Sequence, residues 1–286
     1  MSGMSGTSST NGMSLRGKTV IVTGAARGVG RACAERLAAA GADLVLVDIA
    51  DDLPLVPYPL GTEGQLAHTE KLCRAHGATV LSCPADVRDL RAVEAAVATA
   101  VQRFGRVDAV VNNAGIAAPS GKAVHEIGED EWTVMLDVDL FGAWRMTRAV
   151  GEVMARQRSG SIVNISSTAG LVGYRNFAAY VTAKHGLIGL TRAAALDYAP
   201  LKVRVNAVCP GSVRDDPVLE GRMLSEIAKS LDVPVAEHEE LFVQSQPTNE
   251  LVEAGDVAEA VLWLVSDASR GVTGSVVTVD GGFTAK

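Results

Sequence analysis

From residue 19 onward, short runs of valine, isoleucine and leucine alternate with longer amphipathic stretches, and this alternation limits the possible folds more than any other feature. The apolar runs predict seven strands, at 19–24, 43–48, 79–86, 109–115, 161–167, 203–211 and 275–282. Helical patterns lie at 29–41, 65–76, 89–104, 129–157, 178–198 and 255–267. Strands that are apolar throughout are typical of a parallel sheet with helices on both faces. Because crossovers between parallel strands are right-handed, the sequence predicts an α/β, doubly wound Rossmann fold with seven strands.

No linker divides this pattern, so we expect residues 15–286 to form a single domain. Residues 1–14 are rich in serine and glycine and hold no apolar segment of signal-peptide length, which predicts a disordered tail. Elsewhere no window reaches the apolar length that spans a bilayer. These features favour a cytoplasmic protein.

Two segments interrupt the alternation of strands and helices. Residues 51–64 form a proline- and glycine-rich loop that is longer than such connections usually are. Residues 212–250 are polar and acidic and contain one apolar stripe with helical spacing, formed by Leu219, Met223 and Ile227. The stripe predicts a helical flap over a cleft, and a solvated insertion is the alternative.

Composition excludes several classes of function. The 286 residues are 48% hydrophobic and 21% charged, and the formal net charge is −7. The absence of a basic stripe argues against binding to nucleic acid or to an anionic membrane. None of the four cysteines forms a C-x-x-C pair, so we expect reduced structural thiols and no metal site.

The stretch TGAARGVG, residues 23–30, joins the first predicted strand to the first predicted helix. Its glycines, Gly24, Gly28 and Gly30, let the backbone turn tightly and approach a pyrophosphate, whose charge is met by amides at the helix N-terminus. Asp48 ends the next strand, eighteen residues after Gly30. A glycine-rich turn in this setting predicts a dinucleotide site.

Asp48 indicates which dinucleotide is bound. Its carboxylate can accept hydrogen bonds from the adenosine ribose hydroxyls, whereas it would repel a 2′-phosphate by several kcal/mol in a poorly hydrated site. We therefore expect NAD(H) rather than NADP(H). Arg27 argues mildly in the other direction, because a guanidinium there could reach a phosphate. Its alternative interpretation is a solvated surface side chain beside the cofactor.

Tyr180 and Lys184 lie four residues apart in AAYVTAKHG, residues 178–186, so both leave the same face of a helix. This spacing also arises by chance, with the tyrosine as a packing residue. Lowering a phenol pKa from near 10 to about 7 takes roughly 4 kcal/mol. One ammonium about 4 Å away supplies about that much at an effective dielectric near 20. The pair therefore suits proton transfer at neutral pH.

Together with further motifs in chain order, these residues resemble the short-chain dehydrogenase/reductase family over nearly all of residues 15–286. The further motifs are Asp86–Val87, NNAG at 112–115, NISS at 164–167 and PG at 210–211. The resemblance implies that Asp86 lies near the adenine and that the turn 112–115 lies along the cofactor. The residues that it assigns to NAD are Gly24, Arg27, Gly28, Val29, Gly30, Asp48, Asp86, Val87, Asn113, Ala114, Gly115, Tyr180, Lys184, Pro210, Gly211 and Val213.

The resemblance also implies the catalytic residues Ser167, Tyr180 and Lys184. Ser167 stands thirteen residues before Tyr180, the usual interval in the family, which favours it over Ser166. Tyr180 takes a proton from an alcohol as hydride leaves, or returns one to a ketone, and Lys184 also holds the nicotinamide ribose. Ser167 donates a hydrogen bond to the substrate oxygen; its alternative role is that of a strand-end cap.

Two positions depart from the family pattern. Asp139 stands where the family usually has an asparagine that helps to hold a water leading to the lysine. A carboxylate there can still order water, but it would oppose loss of the phenolic proton, so Asp139→Asn is expected to keep or raise turnover. Asp215 stands where a threonine is usual, and it cannot donate a hydrogen bond as the hydroxyl does. Anchoring of the nicotinamide carboxamide is therefore in doubt.

Two longer stretches resemble the mycofactocin-associated, carveol-dehydrogenase-like subgroup: DLPLVPYPLGTEGQL at 52–66 and ELVEAGDVAEAVLWLVSDASRGVTG at 250–274. That resemblance implies an NAD that exchanges slowly, electrons passed to a separate carrier, and terpenoid or other secondary-metabolite alcohols as substrates. The loop 51–64 would then close over the adenine side. Its alternative is a surface or oligomer-contact loop.

The predicted activity is NAD(H)-dependent interconversion of a secondary alcohol and a ketone. Substrate is expected between Ile116–Ser120, Val172–Phe177 and the flap. An enoyl reductase is disfavoured, because that branch of the family spaces its tyrosine and lysine more widely. The alternative is a non-catalytic NAD-binding regulatory or scaffold protein, for which Asp139 and Asp215 are the sequence support. By resemblance, the long helices 129–157 and 178–198 pack against other copies in a homotetramer or homodimer.

Overall fold

The computed structural model describes residues 11–234 and 237–285 and contains one sheet of seven parallel strands in the order β3-β2-β1-β4-β5-β6-β7. The strands are β1 Thr19–Thr23, β2 Asp43–Asp48, β3 Val80–Pro84, β4 Ala109–Asn112, β5 Gly160–Ile165, β6 Val203–Pro210 and β7 Val276–Val279. Every pairing is parallel and in regular register. The predicted doubly wound Rossmann fold is confirmed.

Helices cover both faces of this sheet. Their bounds are α1 Gly28–Ala39, α2 Glu63–Ala75, α3 Leu90–Phe104, α4 Glu129–Leu136, α5 Ala143–Gln157, α6 Ala178–Tyr198, α7 Met223–Ser230, α8 His238–Ser245 and α9 Ala254–Val265. Helices α1, α2 and α9 pack in one apolar core, and α3, α5 and α6 pack in another on the opposite face. Side chains of β1 alternate between the two cores, because successive residues of a strand point to opposite faces.

The helical pattern 129–157 is not one regular helix. A π-helical turn, Asp137–Gly142, separates α4 from α5. A π turn carries one extra residue per turn and is frequent at functional sites. Gly142 is required within it, because a Cβ there would lie 2.7 Å from Cγ2 of Val87. The extra residue changes the direction in which the following side chains leave the helix, and Asp139 is among them.

The strand order reverses between β1 and β4, and in open α/β sheets ligands bind at such a point beyond the carboxyl ends of the strands. A cavity of about 340 Å³ lies there.

Of the predicted tail, residues 1–10 lie outside the described residues, and Asn11–Met13 form a short 3-10 turn. All four cysteines are free. Within the described residues no helix is both long and apolar enough to cross a membrane.

The loop after β2 is anchored by its own apolar side chains. Leu53, Val56, Tyr58 and Leu60 are buried in a cluster with residues of α4 and the π turn. The Tyr58 hydroxyl also accepts a hydrogen bond from the amide of Ala117 at 2.9 Å. These buried side chains distinguish the segment from a solvated loop. The segment forms one side of the cavity.

The chain between β6 and α9 contains α7 and α8 and lies on the other side of the cavity. Met223, Leu224 and Ile227 line the cavity, and Leu224 and Ala228 are buried. Leu219 lies before α7 begins and also lines the cavity. The predicted stripe therefore faces the cleft.

Candidate active site

Two glycines of the predicted dinucleotide cradle, Gly24 and Gly30, have no space for a side chain. A Cβ on Gly30 would lie 1.9 Å from the carbonyl oxygen of Gly24, and one on Gly24 would lie 2.8 Å from Cα of Ala114. Gly24 and Gly28 also have φ angles of 64° and 57°, which favour glycine. This bare backbone at a helix N-terminus fits a pyrophosphate.

Asn113 joins the end of β4 to this turn. Its Nδ2 donates to the carbonyls of Thr23 and Gly24 at 3.0 and 3.1 Å. The amides of Asn113 and Ala114 both donate to Oγ1 of Thr23 at 3.0 Å. The Asn113 side chain thus supports the cradle from within, and Thr23 is a supporting residue for which the sequence has no signal beyond its place at a strand end.

Asp48 lies at the floor of the cleft and is 7% exposed. Its Oδ2 accepts from the amide of Ala26 at 2.9 Å, and its Oδ1 accepts from the amide of Ala50 at 3.1 Å. Burial raises the pKa of Asp48, while these amides and the Arg27 cation oppose the rise. Gly61 packs so closely that a Cβ would lie 2.6 Å from Oδ1. The carboxylate is therefore held rigidly beside the cradle.

Arg27 lines the same part of the cleft. Its Nη2 donates to the carbonyl of Pro59 at 2.8 Å, and its Nη1 is buried with no hydrogen-bond partner among the described residues. Burial lowers the pKa of Arg27, with Arg222 as the second cause. The interpretation as a solvated surface side chain does not describe this residue, because one nitrogen is withdrawn from water and still available as a donor.

Two further predicted contacts are present at the cleft. Asp86 lines it, but its carboxylate also forms a bidentate ion pair with Arg88, with Oδ2 2.7 Å from Nη2. Val87 is buried. The remaining predicted positions that line the cleft are Val29, Ala114, Gly115, Pro210, Gly211 and Val213.

Ser167, Tyr180 and Lys184 line one wall of the cavity. Ser167 follows β5, and the other two lie one turn apart on α6. Lys184 Nζ lies 5.4 Å from the centre of the Tyr180 ring. The Ser167 side chain lies close enough to Tyr180 to lower the pKa of its hydroxyl. Ser166 is oriented differently: its Oγ donates to the carbonyl of Lys184 at 3.0 Å. Ser167 rather than Ser166 is thus next to the tyrosine.

Asp139 contacts the lysine directly. Its Oδ2 lies 2.9 Å from Lys184 Nζ, and its Oδ1 accepts from the amide of Ile116 at 2.8 Å. The approach of Nζ is off the direction of a hydrogen bond, so Oδ2 has no hydrogen-bond donor among the described residues. Lys184 Nζ also donates to the carbonyl of Ile165 at 3.3 Å. The side chains of Asp139 and Lys184 are 0% and 6% exposed, so this is a buried ion pair.

The pKa of Tyr180 is raised above its ordinary value, first by burial and then by Asp139, while Lys184 and the hydrogen bond with Ser167 lower it. Burial lowers the pKa of Lys184, but Asp139 and Tyr180 raise it by more, so the net direction is upward. Lys184 acts on Tyr180 in the predicted direction, and a phenol pKa near 7 stays a prediction for the protein with oxidised NAD bound, whose positive charge would add to that of Lys184. Burial and the neighbouring carboxylate outweigh the cation.

Comparisons with known proteins agree with this geometry. A family model described as enoyl-(acyl carrier protein) reductase matches residues 24–284. The chain is 41% identical over 277 residues to (-)-trans-carveol dehydrogenase of Rhodococcus erythropolis, which covers 95% of this chain and 99% of that protein. It is 37% identical over 270 residues to levodione reductase of Leifsonia aquatica, 94% of each. The crystal structure of carveol dehydrogenase from Mycobacterium avium in complex with NAD has a TM-score of 0.88 at 36% identity and covers 96% of this chain and 100% of that one.

This chain belongs to the short-chain dehydrogenase/reductase family. The resemblance seen in the sequence is confirmed, and the protein is an oxidoreductase of this family.

In this short-chain dehydrogenase/reductase, the Asp215 carboxylate binds the first turn of α7. Its Oδ1 accepts from the amide of Leu224 at 3.0 Å, and its Oδ2 accepts from the amide of Ser225 at 2.8 Å and from the Ser225 hydroxyl. These are the unpaired amides of the first turn of α7, so the carboxylate caps that helix. The departure from threonine therefore positions the flap.

The expected substrate wall is only partly present. Ile116, Tyr174, Arg175 and Phe177 line the cavity, but residues 117–120, 172–173 and Asn176 do not. Ala117 and Ala118 are buried, and Val172 is 36% exposed. Further apolar lining comes from the loop after β2 and from the flap, whose lining side chains include Met223, Leu224, Ile227, Leu231 and Phe242.

Sequence reasoning missed one contact network that holds the flap. Arg31 of α1 is completely buried, and its Nη2 lies 2.9 Å from Oε1 of Glu220. Gln65 of α2 donates to the other oxygen of Glu220. The Gly28 amide donates to the carbonyl of Leu219 at 2.7 Å. An arginine within a helical pattern has no sequence signal for such a role, since its partner lies 189 residues away.

Proposed function

We propose that this short-chain dehydrogenase/reductase interconverts a secondary alcohol and a ketone, using NAD(H), on a ring-bearing substrate of the terpenoid or secondary-metabolite type. The observation that carries the proposal is one cavity lined by Ser167, Tyr180 and Lys184 and also by the glycine turn and Asp48. A proton-transfer group and a dinucleotide cradle in one cavity are what carbonyl reduction requires.

The residues present fit NAD. The glycine turn would hold the pyrophosphate, and the unpartnered Nη1 of Arg27 offers it a cation. Asp48 would accept from the ribose hydroxyls, and its buried negative charge disfavours a 2′-phosphate. The related carveol dehydrogenase from Mycobacterium avium is an NAD complex, which supports the same assignment here.

Bound NAD(H) supplies the acceptor or donor of hydride. Tyr180 gives its hydroxyl proton to the ketone oxygen in reduction and takes the alcohol proton in oxidation. Ser167, beside that hydroxyl, donates a hydrogen bond to the same substrate oxygen and stabilises the charge that develops there. Lys184 is expected to hold the nicotinamide ribose. The apolar lining excludes water from the reacting atoms.

The substrate class follows from the cavity wall. Tyr174, Phe177, Met223, Ile227 and Phe242 form an apolar and partly aromatic lining, and Arg175 is the one charge added to that wall by residues 172–177. Such a wall suits a compact apolar ring that carries one oxygen. The names of the relatives, carveol dehydrogenase and levodione reductase, agree with a cyclic alcohol or ketone.

Steady-state kinetics with a panel of cyclic and acyclic secondary alcohols and ketones test this proposal, with NAD(H) and NADP(H) compared in parallel. We expect turnover of cyclic members with a preference for NAD(H). If no member is turned over while NAD binds, the non-catalytic scaffold alternative replaces the proposal.

We also propose that NAD is held tightly and exchanges slowly. Two segments are tied to the first turn of α1 around the cleft: the loop after β2 through Arg27 and Pro59, and the flap through Glu220 and Arg31. Release of a dinucleotide requires at least one of these contacts to open. Mass spectrometry of the purified protein should find bound NAD, and a completely empty protein contradicts the proposal. Slow exchange would in turn require an external electron carrier.

Glu220→Gln tests the flap contact. The amide keeps one acceptor for Arg31 but removes the charge, so we expect NAD to dissociate several-fold faster with little change in chemistry. Glu259→Gln is the matched control, because Glu259 forms an exposed ion pair with Arg36 of the same helix α1. Displacement of bound NADH, followed by its fluorescence, measures both rates. Equal rates in the two variants would show that Glu220 does not limit release.

Localisation and assembly remain proposals. A cytoplasmic location stays a prediction from the cysteine pattern of the sequence. Phe141 in the π turn and Trp144 on α5 are each 45% exposed, and Leu196 on α6 is 78% exposed. Large apolar side chains on these two helices support a homotetramer or homodimer formed through them.

A further inference from the structure

The departure from asparagine at position 139 creates a charge arrangement that the proposed chemistry does not use. Asp139 is 2% exposed and lies under the turn 112–115, where a Cβ on Gly115 would be 3.0 Å from Oδ2 and 3.4 Å from Lys184 Nζ. A neutral asparagine at this place leaves the ammonium uncompensated. A carboxylate 2.9 Å away compensates it directly.

The position of the carboxylate is well defined. The π turn aims Asp139 inward, and the Ile116 amide holds Oδ1 at 2.8 Å. The neighbouring acid of the same turn, Asp137, points elsewhere and pairs with Arg145 at 2.6 Å on a partly exposed surface. The π turn therefore carries two carboxylates, and only that of Asp139 lies beside Lys184.

The groups that face the Tyr180 hydroxyl carry few charges. Besides Asp139 and Lys184, the titratable side chains that act on this cluster are Tyr58 from the loop after β2, Tyr174 from the segment before α6, and Cys209 from β6. Burial raises the pKa of each of these three, so they are neutral near pH 7. Burial raises the pKa of Asp139 as well, while the Lys184 ammonium and the amide of Ile116 oppose that rise and favour the carboxylate. Among the described residues, Lys184 and Asp139 are the groups whose charges act most directly on Tyr180.

A fully formed pair of opposite charges has a weaker field at Tyr180 than the ammonium alone. The cation that stabilises a phenolate is then balanced by an anion that destabilises it. The neutral hydroxyl, which is the form that gives a proton to a ketone, is favoured.

We propose that Asp139 is a positioning residue that acts through Lys184: its carboxylate pairs with the ammonium and keeps the Tyr180 hydroxyl protonated at neutral pH, which suits the enzyme to ketone reduction. The inference rests on the proposed function, because Tyr180 must be the proton donor. It assigns to this chain a pH dependence that an asparagine at the same position would not produce.

Asp139→Asn, which keeps the shape and removes the charge, tests the proposal. We expect the acidic limb of the kcat/KM profile for alcohol oxidation and the alkaline limb for ketone reduction both to move to lower pH, by about one unit or more. Oxidation at pH 7 then rises about tenfold for a one-unit shift. Asp137→Asn is the matched control and should move neither limb.

Three results with folded, NADH-binding Asp139→Asn protein would overturn the proposal. Unmoved limbs would mean that the carboxyl is already protonated beside Lys184. Limbs that move to higher pH would mean that Asp139 stabilises the phenolate. Inactivity at every pH would mean that the carboxylate takes part in the reaction itself.

A second measurement needs no change at position 139. Ultraviolet difference titration of the unmutated protein against Tyr180→Phe isolates the ionisation of Tyr180. We expect its phenolate only above about pH 10, the ordinary value for a phenol. Phenolate near pH 7 would overturn the proposal. This titration needs no substrate. If the protein turns over none of the alcohols and ketones, the proposed function fails, but the titration still tests the effect of Asp139 and Lys184 on Tyr180.

Discussion

Replacement of Tyr180 by phenylalanine is expected to lower kcat by about 10³-fold, in the range that removal of a general acid or base produces. Only the hydroxyl is lost, since the ring packs against the cluster formed by the loop after β2, α4 and the π turn. NAD affinity should change little, because the cradle and Asp48 are untouched. Turnover and NADH binding by fluorescence measure the two effects separately.

Tyr198→Phe is the matched control for this prediction. Tyr198 lies on the same helix, outside the cavity, with its hydroxyl close to Gly151. The same chemical change there should leave turnover near that of the unmutated protein. Near-normal turnover in Tyr180→Phe would mean that the proton comes from another group. Loss of NADH binding in that variant would make the tyrosine a structural residue.

Replacement of Gly30 by alanine is expected to disrupt the cradle. The added Cβ would lie 1.9 Å from the carbonyl oxygen of Gly24 and 2.6 Å from Nδ2 of Asn113. The first of these atoms is backbone, so the turn must move. Such overpacking costs about 1–3 kcal/mol in unfolding free energy. NAD affinity should fall at least about tenfold, which corresponds to about 1.4 kcal/mol.

Gly255→Ala is the control, because Gly255 lies in the first turn of α9 with no other atom within 4 Å of the added Cβ. Alanine is the better helix former, so stability there should stay equal or rise by up to about 1 kcal/mol. Chemical denaturation and calorimetric titration with NAD compare the two variants. A Gly30→Ala protein that binds NAD normally would show that NAD binding does not depend on the close packing of Gly30 against Gly24.

Most of the fold could be predicted from the sequence. Seven apolar runs become the seven strands, because a strand buried on both faces must be apolar at every position. Strand β4 shows the limit of this signal, since it ends at Asn112 and the predicted strand continues to residue 115. The turn 112–115 leaves the sheet because Asn113 and Ala114 bond to Thr23 rather than to a neighbouring strand.

The π turn could not be predicted. Periodicity over 129–157 is that of a helix on both sides of the turn, and one extra residue barely disturbs it. The same holds for the packing of the loop after β2. Its prolines and glycine indicate a loop, whereas its burial depends on a surface formed by α4 and the π turn.

The candidate catalytic and cofactor-binding residues follow from the local sequence. A glycine turn, an acid at a strand end and a tyrosine four residues before a lysine are short-range patterns, and the backbone alone brings their members together. The pairing of Lys184 with Asp139 and of Arg31 with Glu220 is of another kind. These partners lie 45 and 189 residues apart, and they meet because the strand order and the π turn place them there. Local sequence thus predicts the candidate reacting groups of this enzyme. Packing between distant segments determines which charges lie next to them, since electrostatic energy depends on distance in space and not along the chain.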